Sequence, residues 1–330
     1  MTDKDRIRRS ANYKNGAFRN LSPTPVMAED ISYIKVIKES LSRPKTVRPP
    51  SVLPSLKTNI SLGSVQPAIT WFGHSSYLIQ VNNKNILVDP VFSGNASPLS
   101  WLIKAFAGTD VYTAQDFPDI DMLVITHNHY DHLDIKTVNT FKGKIKSVYT
   151  ALGAGKDISY IDPDIITELD WWDSIKIGED IELTALPARH FSGRGIKRGG
   201  SLWASFALKI FNYNIYIGGD SGYGTHFRHI GNQYGPFDIA ILECGQYNVS
   251  WPYIHMMPEQ TAEAAVDLKA KTLLPVHWGK FTLGNHPWDE PIGRLLKKAE
   301  ELNVKVTTPM IGEQIILNEY YPDKKWWKLS

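Results

Sequence analysis

Nine residues, THNHYDHLD from Thr126 to Asp134, constrain the fold of this chain more than any other stretch. They place three histidines and two aspartates directly after DMLVIT, a short apolar run that is typical of a buried strand. A single histidine at the end of a strand usually contacts solvent or caps a polar group. The spacing H-x-H-x-D-H is instead typical of side chains that converge on metal ions. The fold must therefore bring further ligands to the end of this strand.

Three other strand-like runs also end in a residue that can bind a metal. His190 follows LTALPAR, Asp220 follows NIYIGG, and His277 follows TLLPV. Because strands are rigid, ligands at their ends can be fixed accurately. We expect two ligand sets and one shared carboxylate: His127, His129 and His190 for one ion, Asp131, His132 and His277 for a second, and Asp220 between them. Imidazole and carboxylate ligands without thiolate favour two Zn²⁺ ions, with Fe or Mn as the alternatives.

The composition limits the classes of function. Hydrophobic residues make up 42% of the 330 residues and charged residues 21%, as in a globular protein with a sizeable core. A net charge of +2 and the lack of an arginine-rich block argue against nucleic acid as a partner. Cys244 is the one cysteine, so no intramolecular disulfide is expected, and the sequence predicts neither a signal peptide nor a transmembrane helix. We expect a cytoplasmic protein, or one that also contacts the inner face of a membrane peripherally.

The pattern along the chain predicts a polar, proline-rich N-terminal arm over 1–66 and one domain over 67–330. The arm contains one helix-like stretch, AEDISYIKVIKESL. The predicted strands are AITWFGHSSYLIQV, KNILVDPVF, DMLVIT, SVYTAL, IELTALPA, SFALKIF, YNIYIGGDSG, FDIAILECG, TLLPVHW, KVTTPMIG and EQIIL. The predicted helices are HLDIKTVNTF, THFRHIGNQYG, PEQTAEAAVDLKA and EPIGRLLKKAEEL. Strands that begin in hairpins and later alternate with helices favour an α+β fold, with two sheets face to face and helices outside.

Some segments admit two interpretations. PLSWLIKAFAG, with Trp101 and Phe106, is predicted to form an amphipathic helix that either lines the site mouth or packs on the domain. WPYIH is a second candidate wall of the site. The C-terminal YYPDKKWWKLS is typical either of an interfacial anchor or of a tail docked on its own domain or on a second subunit. His226 and His229 are predicted to be exposed on a helix face.

On these motifs the chain resembles the metallo-β-lactamase superfamily, and within it the branch that contains N-acyl-phosphatidylethanolamine-hydrolysing phospholipase D. The stretches that carry the resemblance cover most of 68–291: WFGHSSYLI, LVDPVFS, THNHYDHLD, GGDSGYGTHFRHIGNQYGPFDIAILECGQY, HMMPEQTAEAAVDL and VHWGKFTL. The resemblance implies a four-layer αββα sandwich, two zinc ions and Asp220 as the ligand that bridges them.

Other positions matched by the resemblance keep two interpretations each. Asp89 either orients a ligand histidine or caps the turn before Pro90. His74 either lines the site or satisfies a hairpin. His255 is implied to lie near the substrate, where it would meet a phosphate or assist the leaving group. The chain departs from the branch at Glu243, on the strand that follows Asp220.

The implied reaction is hydrolysis by a hydroxide held between two zinc ions, most simply in a phosphodiesterase of phospholipase D type that acts on N-acyl-phosphatidylethanolamine-like phospholipids. The candidate catalytic residues are Asp131, Asp220 and His255. The alternative is a lactonase that resembles ascorbate-6-phosphate lactonase. Its sugar phosphate would be held by Arg194, Lys197 and Arg198. A second alternative is a metal-binding scaffold without turnover. The expected partners are a small-molecule or phospholipid substrate and a second copy of the chain in a homodimer.

Overall fold

Two β-sheets stacked face to face form the centre of the protein in the computed structural model, which describes residues 3–28, 31–32, 38, 42–61, 64–195 and 198–329. The strands of the first half are β1 Tyr13–Lys14, β2 Ala17–Phe18, β3 Ala68–Trp71, β4 Tyr77–Val81, β5 Lys84–Val88, β6 Met122–Ile125, β7 Val148–Ala151 and β8 Ile166–Leu169. Those of the second half are β9 Ser174–Ile177, β10 Ile181–Leu186, β11 Ser205–Ile210, β12 Tyr213–Ile217, β13 Ile239–Glu243, β14 Leu273–Val276 and β15 Gln314–Ile316. The helices are α1 Asp3–Arg9, α2 Ile135–Thr140, α3 His226–Gln233, α4 Pro258–Asp267 and α5 Glu290–Glu301.

Both large sheets are mixed. The first has the strand order β15–β3–β4–β5–β6–β7–β8, and the second has the order β14–β13–β12–β11–β10–β9. Strands β5 to β8 are parallel to one another, as are β12, β13 and β14, while the hairpin strands pair antiparallel. The prediction of two sheets rather than one parallel sheet is therefore confirmed.

Alternation along β6 illustrates how the layers form. Met122 and Val124 join the apolar core that contains side chains of both sheets. Leu123 and Ile125 point the other way and pack with Val138 of α2 in a separate cluster. On the far side of the molecule, α4 contacts β13 and β14, and it also contacts α3 and α5. The order is thus helix, sheet, sheet, helix, the predicted αββα sandwich.

The predicted arm is only partly described, and its boundary at residue 66 stays a prediction. Its helix-like stretch, 28–41, lies mostly outside the described residues. Phe18, Leu53 and Ile60 are buried in the apolar clusters of the sandwich. The described parts of the arm therefore contact the body of the protein.

The structure also decides how the C-terminal tail lies. Trp326 and Trp327 are buried, and the ring of Trp326 stacks on Trp278 at 5.3 Å and lies 6.2 Å from the ring of Trp71. The tail is therefore docked on its own domain, and its tryptophans are core residues rather than interfacial anchors.

Three local predictions are wrong. PLSWLIKAFAG forms no helix, because its backbone pairs across a loop, with Asn95 opposite Lys104 in an isolated antiparallel bridge. KVTTPMIG forms no strand and contributes two isolated bridges, Leu273 to Val306 and Ser55 to Ile311. His226 is not exposed. Its side chain turns inward and its Nε2 lies 3.1 Å from the Ser221 hydroxyl, whereas His229 is exposed as predicted.

Candidate metal centre

All the predicted ligands come together at one edge of the sandwich. Strands β6, β10, β12 and β14 run so that their carboxyl ends meet there, and the chain after each end carries a ligand candidate. The predicted ligands form overlapping groups whose ligand atoms lie within 4.8 Å of one another. The convergence that the spacing predicts is therefore present in the structure.

The first group contains three imidazoles. His127 Nε2 lies 2.9 Å from His129 Nδ1, and His190 Nε2 lies 3.2 Å from the same atom. Asp220 Oδ2 lies 3.7 Å from both His127 Nε2 and His190 Nε2. A tetrahedral zinc ion with bonds of about 2.0–2.1 Å separates its ligand atoms by roughly 3.3 Å. The spacing of the group fits such an ion.

The second group is built around two carboxylates. His277 Nε2 lies 3.2 Å from Asp131 Oδ2 and 3.2 Å from Asp220 Oδ1. His132 Nε2 lies 3.2 Å from Asp220 Oδ1 and 3.7 Å from Asp131 Oδ2. Asp220 thus presents one oxygen to each group, as expected for the residue between two ions.

Unsatisfied polar atoms support this assignment. His132 Nε2 and Asp220 Oδ1 are buried, and neither makes a well-directed hydrogen bond to any described residue. An unpaired buried polar atom is costly, and two ligand atoms aimed at one point are satisfied by a cation there. These buried clusters fit a dinuclear metal site, and the side chains offer imidazole nitrogen and carboxylate oxygen rather than sulfur.

Burial also sets the protonation state of the first group. It holds the pKa of His127 and His190 well below the ordinary histidine value, and it lowers that of His129 to about 4. The neutral imidazole is the form of histidine that binds a metal.

Asp89 contacts His132, one of the candidate ligands, directly. Its Oδ2 accepts a hydrogen bond from His132 Nδ1 at 2.7 Å, and its carboxylate also accepts from the Thr126 N–H at 2.8 Å and the Thr126 hydroxyl at 2.6 Å. Of the two interpretations of Asp89, the contact favours orientation of the candidate ligand His132. The contact leaves His132 Nε2 free to face Asp131 and Asp220.

His74 lies in the site rather than in a hairpin alone. It is fully buried after β3, and its Nε2 lies 3.0 Å from Asp131 Oδ2. Its ring is 4.2 Å from that of His277. His74 therefore belongs to the second group by position, and it fixes the Asp131 carboxylate.

His255 lies against both groups and is held by Glu243. The His255 ring is 5.0 Å from that of His190 and 5.4 Å from that of His277. Its Nδ1 lies 2.9 Å from Glu243 Oε2, while Glu243 Oε1 accepts from the Ser221 N–H at 2.9 Å. In the sequence, Glu243 is distinguished only as a departure from the phospholipase branch. Its partners lie elsewhere in the chain, so no local signal pointed to this role.

The cationic loop is only partly available to a substrate. Arg194 donates to the carbonyls of Asn128 and Leu133 at 3.1 and 2.6 Å and stacks on Tyr130, so its guanidinium is engaged within the fold. Arg198 is exposed beside Phe191. Lys197 lies outside the described residues.

Among the described helices, none combines the length and apolar character needed to cross a membrane.

Comparisons with known proteins agree with this geometry. A family profile described as a beta-lactamase superfamily domain matches residues 84–278. An uncharacterised protein of Mycobacterium tuberculosis is 38% identical over 328 residues, covering 97% of this chain and 88% of that protein. N-acyl-phosphatidylethanolamine-hydrolyzing phospholipase D 1 of Caenorhabditis elegans is 32% identical over 235 residues, 65% of this chain and 64% of its own length. The metallo-beta-lactamase fold protein YhfI of Bacillus subtilis superposes with a TM-score of 0.53 at 17% identity, over 76% of this chain and 99% of that one. The predicted fold is confirmed.

Proposed function

This chain belongs to the metallo-β-lactamase superfamily and carries the site of a metal-dependent hydrolase; from that premise we propose that it is a phosphodiesterase of phospholipase D type. The proposed substrates are N-acyl-phosphatidylethanolamine-like phospholipids, the class named in the nematode relative. The observation that carries the proposal is the position of Asp220, whose two oxygens face the two ligand groups separately.

The proposed ligands fall into the two groups described above, one for each zinc ion. His127, His129 and His190 would hold one zinc ion, Asp131, His132 and His277 would hold the other, and Asp220 would contact both. Two zinc ions supply Lewis-acid stabilisation of a phosphoryl group and activation of water at neutral pH. A carboxylate shared by both groups would draw the two charges together, an arrangement suited to phosphoester or lactone hydrolysis.

His255 is the proposed group for the leaving oxygen. Glu243 accepts from its Nδ1, which keeps a proton on that atom and fixes the plane of the ring. The His255 side chain is 12% exposed and that of Asp220 is 2% exposed, so His255 is the more accessible of the two to a substrate. Although burial lowers the pKa of His255, the Glu243 carboxylate raises this pKa overall, which favours the imidazolium. The Nε2–H of that protonated ring would donate a hydrogen bond to the leaving oxygen of the substrate.

An apolar loop supports a lipid substrate. Leu99, Trp101 and Leu102 are 50%, 66% and 56% exposed on the loop that follows β5. Ile103 of the same loop packs on a cluster that contains Phe281, whose ring lies 5.2 Å from that of His74. The exposed side chains are thus joined through one layer of packing to the site. We propose that they contact acyl chains and give the protein its peripheral membrane contact.

The test is hydrolysis by the zinc-loaded protein of three substrates: N-acyl-phosphatidylethanolamine in mixed micelles, a lactone panel and an aryl phosphodiester. The proposal expects phosphatidate and N-acylethanolamine from the first. Asp220→Asn should abolish that release, because the amide cannot offer an oxygen to each group. Asp323→Asn, which neutralises an exposed carboxylate, is the matched control and should retain the parental rate.

The other outcomes would support a different function or refute a residue role. Turnover of lactones with none of either phosphodiester would select the lactonase. Two bound zinc ions with no turnover of any of the three would select the scaffold. Full phospholipase activity in Asp220→Asn would refute the role given to that carboxylate.

A further inference from the structure

A short N-terminal segment crosses the loop that bears His190. This segment, residues 12–28, is called here the N-terminal strap, and it contains the hairpin β1–β2. The Phe18 N–H donates to the Gly199 carbonyl at 2.9 Å, and the Ala28 N–H donates to the Ser250 carbonyl at 3.0 Å. The Phe18 side chain is 3% exposed. The strap is therefore fastened to the loop that bears His190, at Gly199, and to a second segment of the body, at Ser250.

Asn20 of the strap holds the backbone of His190 through both of that residue's polar groups. Asn20 Nδ2 donates to the His190 carbonyl at 2.8 Å, and Asn20 Oδ1 accepts from the His190 N–H at 3.1 Å. Within the residues that the structure describes, no other hydrogen bond reaches these two backbone groups. The two partners are 170 residues apart in the chain, so the contact is made only by the fold.

The residue before His190 is tied to the strap as well. Arg189 donates to the Thr24 hydroxyl at 3.1 Å and to the Pro23 carbonyl at 3.0 Å. Its guanidinium also lies over the Tyr253 ring, with 4.7 Å to the ring centre. Two consecutive residues of the site loop are thus held by the same segment.

The other end of His190 is fixed by the body of the protein. Its Nδ1 donates to the Ile254 carbonyl at 2.8 Å, which directs Nε2 toward His129. The ring plane is set by Ile254, while the place of the backbone is set by Asn20. Since ligand atoms must lie within tenths of an ångström of their ideal positions, both contacts bear on metal binding.

We propose that Asn20 is a positioning residue for the metal group formed by His127, His129 and His190. In this role the strap supports the metal centre and does not only cover it. This inference rests on the proposed zinc site, but it requires nothing about the substrate.

Asn12 provides a matched control in the same strap. Its Nδ2 donates to Asp170 Oδ1 at 2.9 Å, so Asn12→Ala also removes a side-chain amide contact that docks the strap. Asp170 is not among the grouped ligand residues. If the strap only stabilised the fold, Asn12→Ala and Asn20→Ala would change the zinc affinity to the same extent.

The experiment measures zinc stoichiometry and affinity by competition with a chromophoric chelator, with circular dichroism as the check of folding. The parent should bind two zinc ions. Asn20→Ala should bind one with parental affinity and the other about tenfold more weakly, the lower end of the effect of residues that support metal ligands. Asn12→Ala should bind both as the parent does. In a His190→Ala background, Asn20→Ala should cause no further loss, because the ligand that Asn20 positions is already absent.

Two results would overturn the proposal: parental affinity for both ions in Asn20→Ala, or an equal loss in Asn12→Ala and Asn20→Ala. If Asn20→Ala does not fold, Asn20→Asp replaces it. Asp keeps the acceptor for the His190 N–H and loses the donor to the carbonyl, so the same ion should bind more weakly. A parent that binds two zinc ions but hydrolyses no phosphodiester would refute the proposed function and leave the role of Asn20 standing.

Discussion

Substitution of Asp89 by asparagine tests how the second ligand group is oriented. The residue is 1% exposed, and its Oδ2 accepts from both His132 Nδ1 and the Thr126 hydroxyl, while Oδ1 accepts from the Thr126 N–H. Asparagine has the same shape but replaces one oxygen by a donor. If its amide nitrogen faces His132, Nδ1 must accept, and the proton moves to Nε2. That proton would then point toward Asp220 Oδ1, 3.2 Å away, and Nε2 could no longer bind a metal.

The opposite orientation of the amide is also unfavourable, because it places the amide nitrogen against the Thr126 N–H. In the parent this N–H donates to Asp89 Oδ1 at 2.8 Å, and an unmade buried hydrogen bond costs about 1–3 kcal/mol. Loss of a residue that orients a metal ligand typically weakens metal binding by about 10–100-fold, or roughly 1.4–2.7 kcal/mol. We therefore expect Asp89→Asn to bind the second zinc ion weaker by that factor.

The assay is chelator competition on folded protein, with Asp134→Asn as the control. The Asp134 carboxylate is also buried and caps α2 by accepting from the Lys136 and Thr137 N–H groups, but it touches no ligand ring. Asp134→Asn should therefore reduce stability and leave both zinc affinities unchanged. Parental affinity for both ions in Asp89→Asn would refute the tautomer argument.

Two further predictions concern catalysis and stability. His255→Ala should lower turnover of the phosphodiester while two zinc ions remain bound, since His255 is proposed to act on the leaving group; loss of zinc by elemental analysis would mean that it is a ligand. Trp326→Ala should lower the free energy of unfolding by about 3–5 kcal/mol, because its ring is buried against Trp71 and Trp278. Trp101→Ala, at a 66% exposed ring, should change it by less than about 0.5 kcal/mol in the same denaturant titration.

Local pattern predicted most of the fold because most of its elements have an apolar face. The turn at Asn82 and Asn83 is present, and both residues adopt positive φ, of 45° and 61°. Helix α4 begins at Pro258, as its sequence indicates. Strands β8 and β9 were not predicted. Each is the last strand of its sheet and is partly exposed, so neither has a continuous apolar run.

The site was predictable where ligands follow strands and unpredictable where contacts depend on tertiary packing. His127, His190 and His277 follow apolar runs that end at the same edge, which the sequence indicates directly. Two contacts are of the other kind: Glu243 with His255, and Asn20 with the backbone of His190. No periodicity links their partners, and an asparagine in a polar arm has no local feature that distinguishes it from its neighbours.

The two glycines before Asp220 allow a close backbone approach that the sequence alone does not explain. A side chain at Gly218 would collide with the backbone carbonyl of Ile241 on the adjacent strand β13. One at Gly219 would lie 2.8 Å from the Ala204 carbonyl and 3.0 Å from Thr126 Cβ, which belongs to the opposite sheet. The chain that leads to Asp220 therefore runs against the backbone carbonyls of Ile241 and Ala204, and against Thr126 after β6, at distances that only glycine allows. Asp220 directly follows these glycines, so the close approach helps to place its carboxylate where Oδ1 faces His132 and Oδ2 faces His190.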